Sequence, residues 1–293
     1  MTTSLAQRSR RFAARAMRLQ HSIVADAASE QFPHRELVRR ELGASRPVPD
    51  VDRVTTRLLA LRRELPDVQI HVATTPLPRP AVIHAVDAFG ASFAITSRGE
   101  IDDLEREGVA IGRCVHTCPV KSVADITGSY LRGIRTFVVD TSDEITKFQE
   151  LPDVSVLVRL SFPEPGAGRD LSPTSGVAPH DAEPFVGRCL RAGLRVAGFT
   201  FHVGGPTASA ASWTRAIRRT LTLMRRLEHA YGIRFDTVDL GAGLPVDDDD
   251  RAFELATVAR GIRAALAHAP SRYRIVIEAD RSAATPALTQ TVA

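Results

Sequence analysis

The sequence has almost no lysine. Among 293 residues, only Lys121 and Lys147 are lysines. The other basic residues are arginines spread along the chain, so the net charge of +4 reads as compositional bias, not as a binding surface. No basic stripe with interleaved aromatics occurs, which argues against a nucleic-acid partner. No apolar run approaches the roughly 18 residues needed to cross a membrane. Three cysteines, Cys114, Cys118 and Cys189, are too few for a disulfide scaffold. Cys114 and Cys118 have no second Cys/His pair at zinc-site spacing, so no metal site is expected and buried thiols are the reading. No secretory leader is evident, which makes the cytoplasm the expected location.

What is present suits a globular chain: 44% of residues are hydrophobic and 25% charged. Residues 1–47 differ from the rest. Arg8, Arg10, Arg11, Arg15 and Arg18 precede the first acid, Asp26. Ala and Leu between them favour a helical extension, or a partly disordered arm, and the composition also resembles a transit peptide. Pro47 and Pro49 mark a boundary, and residues 48–293 read as one domain.

From Val51 onward, helical and strand periodicities alternate. Strands are expected over 68–73, 91–96, 113–118, 136–140, 155–161, 195–203, 237–240 and 273–278. Helices separate them, the longest over 209–231. Eight such units in this length predict an α/β fold, a TIM (β/α)8 barrel, with a doubly wound open sheet as the alternative.

In such a barrel the chemistry lies at the carboxyl ends of the strands. Those ends carry Ala73, Thr74 and Thr75, then Ser97 and Glu100, Arg159, His202, Asp239 with Gly241 and Gly243, and Glu278 with Arg281. The Gly241-Ala242-Gly243 turn can form an anion nest, and Arg281 suits bidentate phosphate binding. Phosphate sites in these barrels favour the loops after strands seven and eight. His202, followed by Gly204 and Gly205, can stack on a flat ligand or serve as a structural histidine. Glu278 can pair with Arg274 or Arg281, or with a protonated ring nitrogen.

FHVGG at 201–205 and DLGAGLP at 239–245 resemble two motifs of the fold-type III pyridoxal-phosphate decarboxylases. That family comprises the ornithine, diaminopimelate and arginine decarboxylases, which share an alanine-racemase-like barrel. FAITSRGE at 93–100, TCPVK at 117–121 and EADR at 278–281 resemble three more of its segments, in the family's order. The resemblance implies that His202 stacks on the cofactor ring. Gly204, Gly241, Gly243 and Arg281 belong to the cofactor pocket, the last three at the phosphate. Glu278 would face the pyridine nitrogen, with Arg159 and Glu100 in support.

The departures are as informative. The family's first strand ends in the lysine that forms a Schiff base with the cofactor. Here that position is Ala73, Thr74 or Thr75, depending on how the prolines align, and none of these can form an imine. The acid before Ser-x-x-Glu is Ala94, and a Lys-Phe-Gly segment has become Thr174-Ser175-Gly176. The expectation is that no counterpart of the family's carboxy-terminal β domain follows the eighth strand.

The expectation is therefore pyridoxal 5'-phosphate bound noncovalently at best, with weak or no amino-acid decarboxylase activity, in amino-acid or polyamine metabolism. A second reading is a pseudoenzyme that regulates a catalytic paralogue, as a homodimer or heterodimer. A third is an enzyme of other chemistry, with His202 as base and the glycine turn holding a substrate phosphate.

Overall fold

The computed structural model describes residues 51–74, 80–148, 150–162, 176–203, 209–244 and 252–279. The basic stretch 1–47 lies outside the described residues. Eight parallel strands close into a barrel in sequence order: β1 (Gln69–Ala73), β2 (Ser92–Ile95), β3 (Val115–His116), β4 (Thr136–Val139), β5 (Ser155–Leu160), β6 (Arg195–Phe201), β7 (Thr237–Asp239) and β8 (Arg274–Ala279). Closure by β1 pairing with β8 excludes the open-sheet alternative.

Eight α-helices are described: α1 (Val51–Glu64), α2 (Pro80–Phe89), α3 (Arg98–Arg106), α4 (Val123–Leu131), α5 (Ser142–Thr146), α6 (Ala182–Arg191), α7 (Ala210–Tyr231) and α8 (Ala252–Leu266). In α1, Val54, Arg57, Leu58 and Leu61 recur at helical spacing and are all buried. That stripe packs against α2 and α8. α1, which precedes β1, thus occupies the ring position next to α8 that a helix after β8 would take.

Helix ends are set by local chemistry. Ser122 Oγ accepts from the Asp125 amide at 3.0 Å, and Asp125 Oδ2 accepts in return from the Ser122 amide at 3.4 Å, a capping box for α4. Gly232 ends α7 with φ of 64°.

Strand residues alternate between two environments. Val72, Phe93, Val158, Phe199, Val238 and Ile277 belong to the large apolar layer between sheet and helices. Their neighbours His71, Ala73, Ala94, Arg159, Thr200, Asp239 and Glu278 therefore face the barrel axis. Inside, Val115, Val138, Leu157 and Ala197 form a small separate apolar cluster on β3 to β6. The opposite wall, β7, β8 and β1, presents Asp239, Glu278 and His71. Phe199 and Phe235 meet edge to face at 5.3 Å outside the barrel, and each fully buried ring contributes about 2–3 kcal/mol.

One expected strand is clearly shorter than its sequence pattern. β3 spans only Val115–His116 because a 3-10 turn at Ile111–Arg113 takes up the preceding residues. The ladder still continues through the Thr117 amide, which donates to Ile95 O at 2.8 Å. α5 ends at Thr146, and Lys147 caps it.

Candidate cofactor site at the barrel mouth

Ala73 ends β1 and pairs in register with Ala94 on β2. Both face the axis, so two methyl groups line this side of the mouth. Thr74 does not share that position. It is buried, and its amide and hydroxyl both reach Ala94 O, at 3.2 and 3.3 Å. Of the three alternatives left open by the sequence, Ala73 is the axis-facing end of the strand; Thr75 lies outside the described residues.

Glu100 closes the turn after β2. Its carboxylate accepts from the Thr96 amide at 2.5 Å and from the Thr96 hydroxyl at 2.9 Å. Ser97 Oγ caps the start of α3 by accepting from the Glu100 amide at 3.4 Å. Glu100 thus shapes the rim.

Across the mouth, β5 and β6 bring Arg159 and His202 together. Burial pushes the His202 pKa down to about 4, and the nearby Arg159 charge pushes in the same direction. The ring is therefore neutral at neutral pH, a flat surface with no charge to repel a cationic ligand ring. Gly204 lies outside the described residues.

The wall at β7 and β8 is the most tightly organised part. Asp239 is 1% exposed, and its Oδ1 accepts from the Gly241 amide at 2.9 Å. Burial raises the Asp239 pKa, and the Gly241 amide with the neighbouring Glu278 and Thr200 side chains pulls the other way. Gly241 has φ of 67°, and a Cβ there would lie 1.8 Å from Phe201 O, so only glycine fits. Gly241 O accepts from the Glu278 amide at 2.9 Å, tying the turn to β8. Gly243 also has positive φ, at 116°. Because Asp239 takes the Gly241 amide, an anion at this turn would draw on the amides that follow it. Arg281 lies outside the described residues.

A profile of the "Pyridoxal-dependent decarboxylase, pyridoxal binding domain" family matches residues 51–285, the whole barrel. The chain belongs to the pyridoxal-dependent decarboxylase family. It is 28% identical over 202 residues to a lysine/ornithine decarboxylase of Selenomonas ruminantium, covering 69% of this chain and 51% of that protein. It is 26% identical over 219 residues to an ornithine decarboxylase of Caenorhabditis elegans, covering 74% and 51%. The chain thus spans about half the length of the curated relatives it matches. A Vibrio vulnificus lysine/ornithine decarboxylase, solved with cadaverine, superposes with a TM-score of 0.76 at 30% identity, covering 87% of this chain and 68% of that one.

Within this barrel, both lysines sit outside the axis. Lys121 is buried between the sheet and α5. Its Nζ donates to Val138 O at 2.7 Å, Cys118 O at 2.9 Å and Pro119 O at 3.0 Å, and pairs with Glu144 Oε2 at 3.1 Å. Lys147 Nζ donates to Lys121 O at 2.6 Å and to Glu144 Oε1. Burial pushes the Lys121 pKa down, opposed by the Glu144 charge. Burial alone would raise the Glu144 carboxyl, but the hydrogen bond from Lys147 and the charge of Lys121 outweigh it and hold it below its ordinary value. This is a structural stitch that fixes the β3–α4 loop and α5 against β4.

Sequence reading placed Asp239 at a strand end without a role, and it did not single out Thr200 or His71. Period-two counting would have found Thr200 and His71: Thr200 lies two residues before His202, and His71 two before Ala73. His71 is buried, its pKa lowered to about 4 by burial and then by the charges of Arg274 and Arg113. It is the register partner of Glu278.

Proposed function

We propose that this barrel binds pyridoxal 5'-phosphate noncovalently at its mouth, with weak or no amino-acid decarboxylase activity. The observation that carries this is the placement of lysine. Ala73 stands at the axis-facing end of β1, and both lysines of the chain are committed to Glu144 outside the barrel. An aldehyde at the mouth therefore meets no lysine amine with which to form an imine.

The remaining residues fit the group. The glycine turn after β7 offers backbone amides to a phosphate, and Arg281 would add its guanidinium. The neutral His202 ring offers a stacking face, and Glu278 offers a carboxylate to the pyridine nitrogen. When bound, pyridoxal phosphate supplies an electron sink for the carbanion left by carbon dioxide loss. Here the chain's residues hold and orient that group. The missing lysine slows the exchange of amines on which turnover depends.

The relatives act on ornithine and lysine by name, and amino acids or diamines of that class are the ligands to test beside the cofactor. A regulatory role beside a catalytic paralogue, as homodimer or heterodimer, draws on the same lysine placement. It is favoured by the exposed Val120 on the loop that Lys121 anchors and Val123 at the start of α4, 66% and 57% exposed.

An absorbance titration of the purified protein with pyridoxal phosphate tests the binding. Saturable binding that His202→Ala or Arg281→Ala weakens supports it. Affinity unchanged by either substitution removes the mouth as the site.

A further inference from the structure

The long helix α7 carries Arg215, Arg218, Arg219, Arg225 and Arg226 against a single acid, Glu228. That acid is spent elsewhere: Glu228 pairs with Arg272 at 2.7 Å and accepts from the Phe235 amide at 2.9 Å. Like charges one turn apart on a helix repel. The face therefore holds positive charge that its own helix does not balance.

Three of these arginines line a concavity. Arg218, Thr222 and Arg226 follow one another at four-residue spacing with Arg219 beside them, and Pro179 and Leu223 complete the walls around about 320 Å3. That volume falls in the range of small-molecule sites. Among the described residues, the lining includes no carboxylate. Glu183, in the first turn of α6, reaches Arg226 at 3.7 Å, too far for a direct hydrogen bond.

Two groups in the groove are already held in place. The Arg219 guanidinium lies over the buried Phe162 ring, 5.3 Å from its centre, so its flat face is fixed and its N–H edge is left to a ligand. Thr222 Oγ1 accepts from Arg225 Nη2 at 3.3 Å, which leaves the hydroxyl hydrogen to donate.

We propose that this groove between α7 and the segment before α6 binds a compact polyanion carrying two or more phosphate groups. Guanidinium edges take phosphate oxygens two at a time, and three such groups match the charge of a di- or triphosphate. None of the lining residues belongs to the strand ends of the barrel mouth, so the site is a second one and does not rest on the pyridoxal phosphate reading.

Isothermal titration calorimetry of the full chain with pyrophosphate, tripolyphosphate and inorganic phosphate tests this. Arg219→Gln and Arg226→Gln are the groove variants. Arg215→Gln removes one charge from the same helix outside the groove, and Arg281→Ala removes the guanidinium assigned to the mouth. Pyrophosphate should bind at one site per chain, more tightly than inorganic phosphate. Each groove variant should weaken it at least about tenfold, while Arg215→Gln and Arg281→Ala should change it by less than about twofold. Melting temperatures without anion check that the variants stay folded, as replacements of exposed side chains should.

Absence of saturable binding overturns the proposal. So do equal effects in Arg215→Gln and the groove variants, since the arginines then act only as diffuse charge. Loss confined to Arg281→Ala would put the anion at the barrel mouth and overturn the groove as well. A single-stranded oligonucleotide that binds more tightly than tripolyphosphate, and loses equally in Arg215→Gln and Arg219→Gln, would make α7 a nucleic-acid face instead. The groove is judged on pyrophosphate alone, so failure of pyridoxal phosphate to bind would overturn only the cofactor reading.

Discussion

Ala73 and Ala94 are register partners at the ends of β1 and β2, and both face the barrel axis. Ala73, one of the three candidate positions for the family's imine-forming lysine, is thus adjacent to Ala94, which stands where the resemblance puts an acid, and both are methyl groups.

Restoring that pair should restore covalent capture. Ala73→Lys, with Ala94→Asp to balance its charge, is expected to yield a borohydride-stable pyridoxyl adduct on residue 73, read by peptide mass mapping. Wild type should give none at that position. Binding without an adduct in the double variant would place the end of β1 away from the cofactor carbonyl.

The Lys121–Glu144 stitch should be worth far more than a surface ion pair. Its side chains are 1% and 2% exposed. Lys121→Met removes the buried partner of a carboxylate and is expected to cost about 3–5 kcal/mol. Urea denaturation measures this. A loss below about 1 kcal/mol would match a solvent-exposed pair instead.

His116 is fully buried, stacks on Phe137 at 5.9 Å, and has no hydrogen-bond partner at either ring nitrogen. Replacing it with phenylalanine removes two unsatisfied polar atoms while keeping the ring. His116→Phe should therefore stabilise the fold by about 1 kcal/mol near neutral pH. The gain should grow in acid. Burial and then the Lys121 charge lower the His116 pKa from 6.5 to about 4. The neutral ring's contribution is complete above the unfolded value and is lost as pH falls towards 4, up to about 3 kcal/mol. Chemical denaturation of both proteins across that range checks the sign. A wild type as acid-stable as His116→Phe would contradict it.

Gly241→Ala should be severely destabilising. Its φ of 67° is strained for any side chain, and the added Cβ would meet Phe201 O at 1.8 Å. A loss above about 3 kcal/mol is expected from the clash and strain together. Thermal unfolding would read it, and an unchanged melting temperature would mean the turn adopts another conformation.

Much of the barrel was legible in the sequence because each strand is a short β-branched or aromatic run bounded by glycine, proline or a capped helix. VQIHVA and RIVIEA announce themselves locally. β3 was less legible, since the 3-10 turn at Ile111–Arg113 depends on how Gly112 packs beside Gly133, a contact no local pattern reveals. The mouth residues followed from strand ends alone, but their partnerships did not. Asp239, Thr200 and Glu278 are far apart in sequence and meet only through the register of three strands. The same holds for Glu144, whose hold on both lysines needs α5 folded against β4. Gly204 and Arg281 remain proposals on the sequence resemblance.

The most direct test of the central claim is borohydride reduction of the wild-type protein saturated with pyridoxal phosphate, followed by intact mass. The expected result is saturable binding with no pyridoxyl adduct. An adduct formed in proportion to binding and mapped to Lys121 or Lys147 would contradict it, because that lysine would then have to leave Glu144 and reach the barrel mouth.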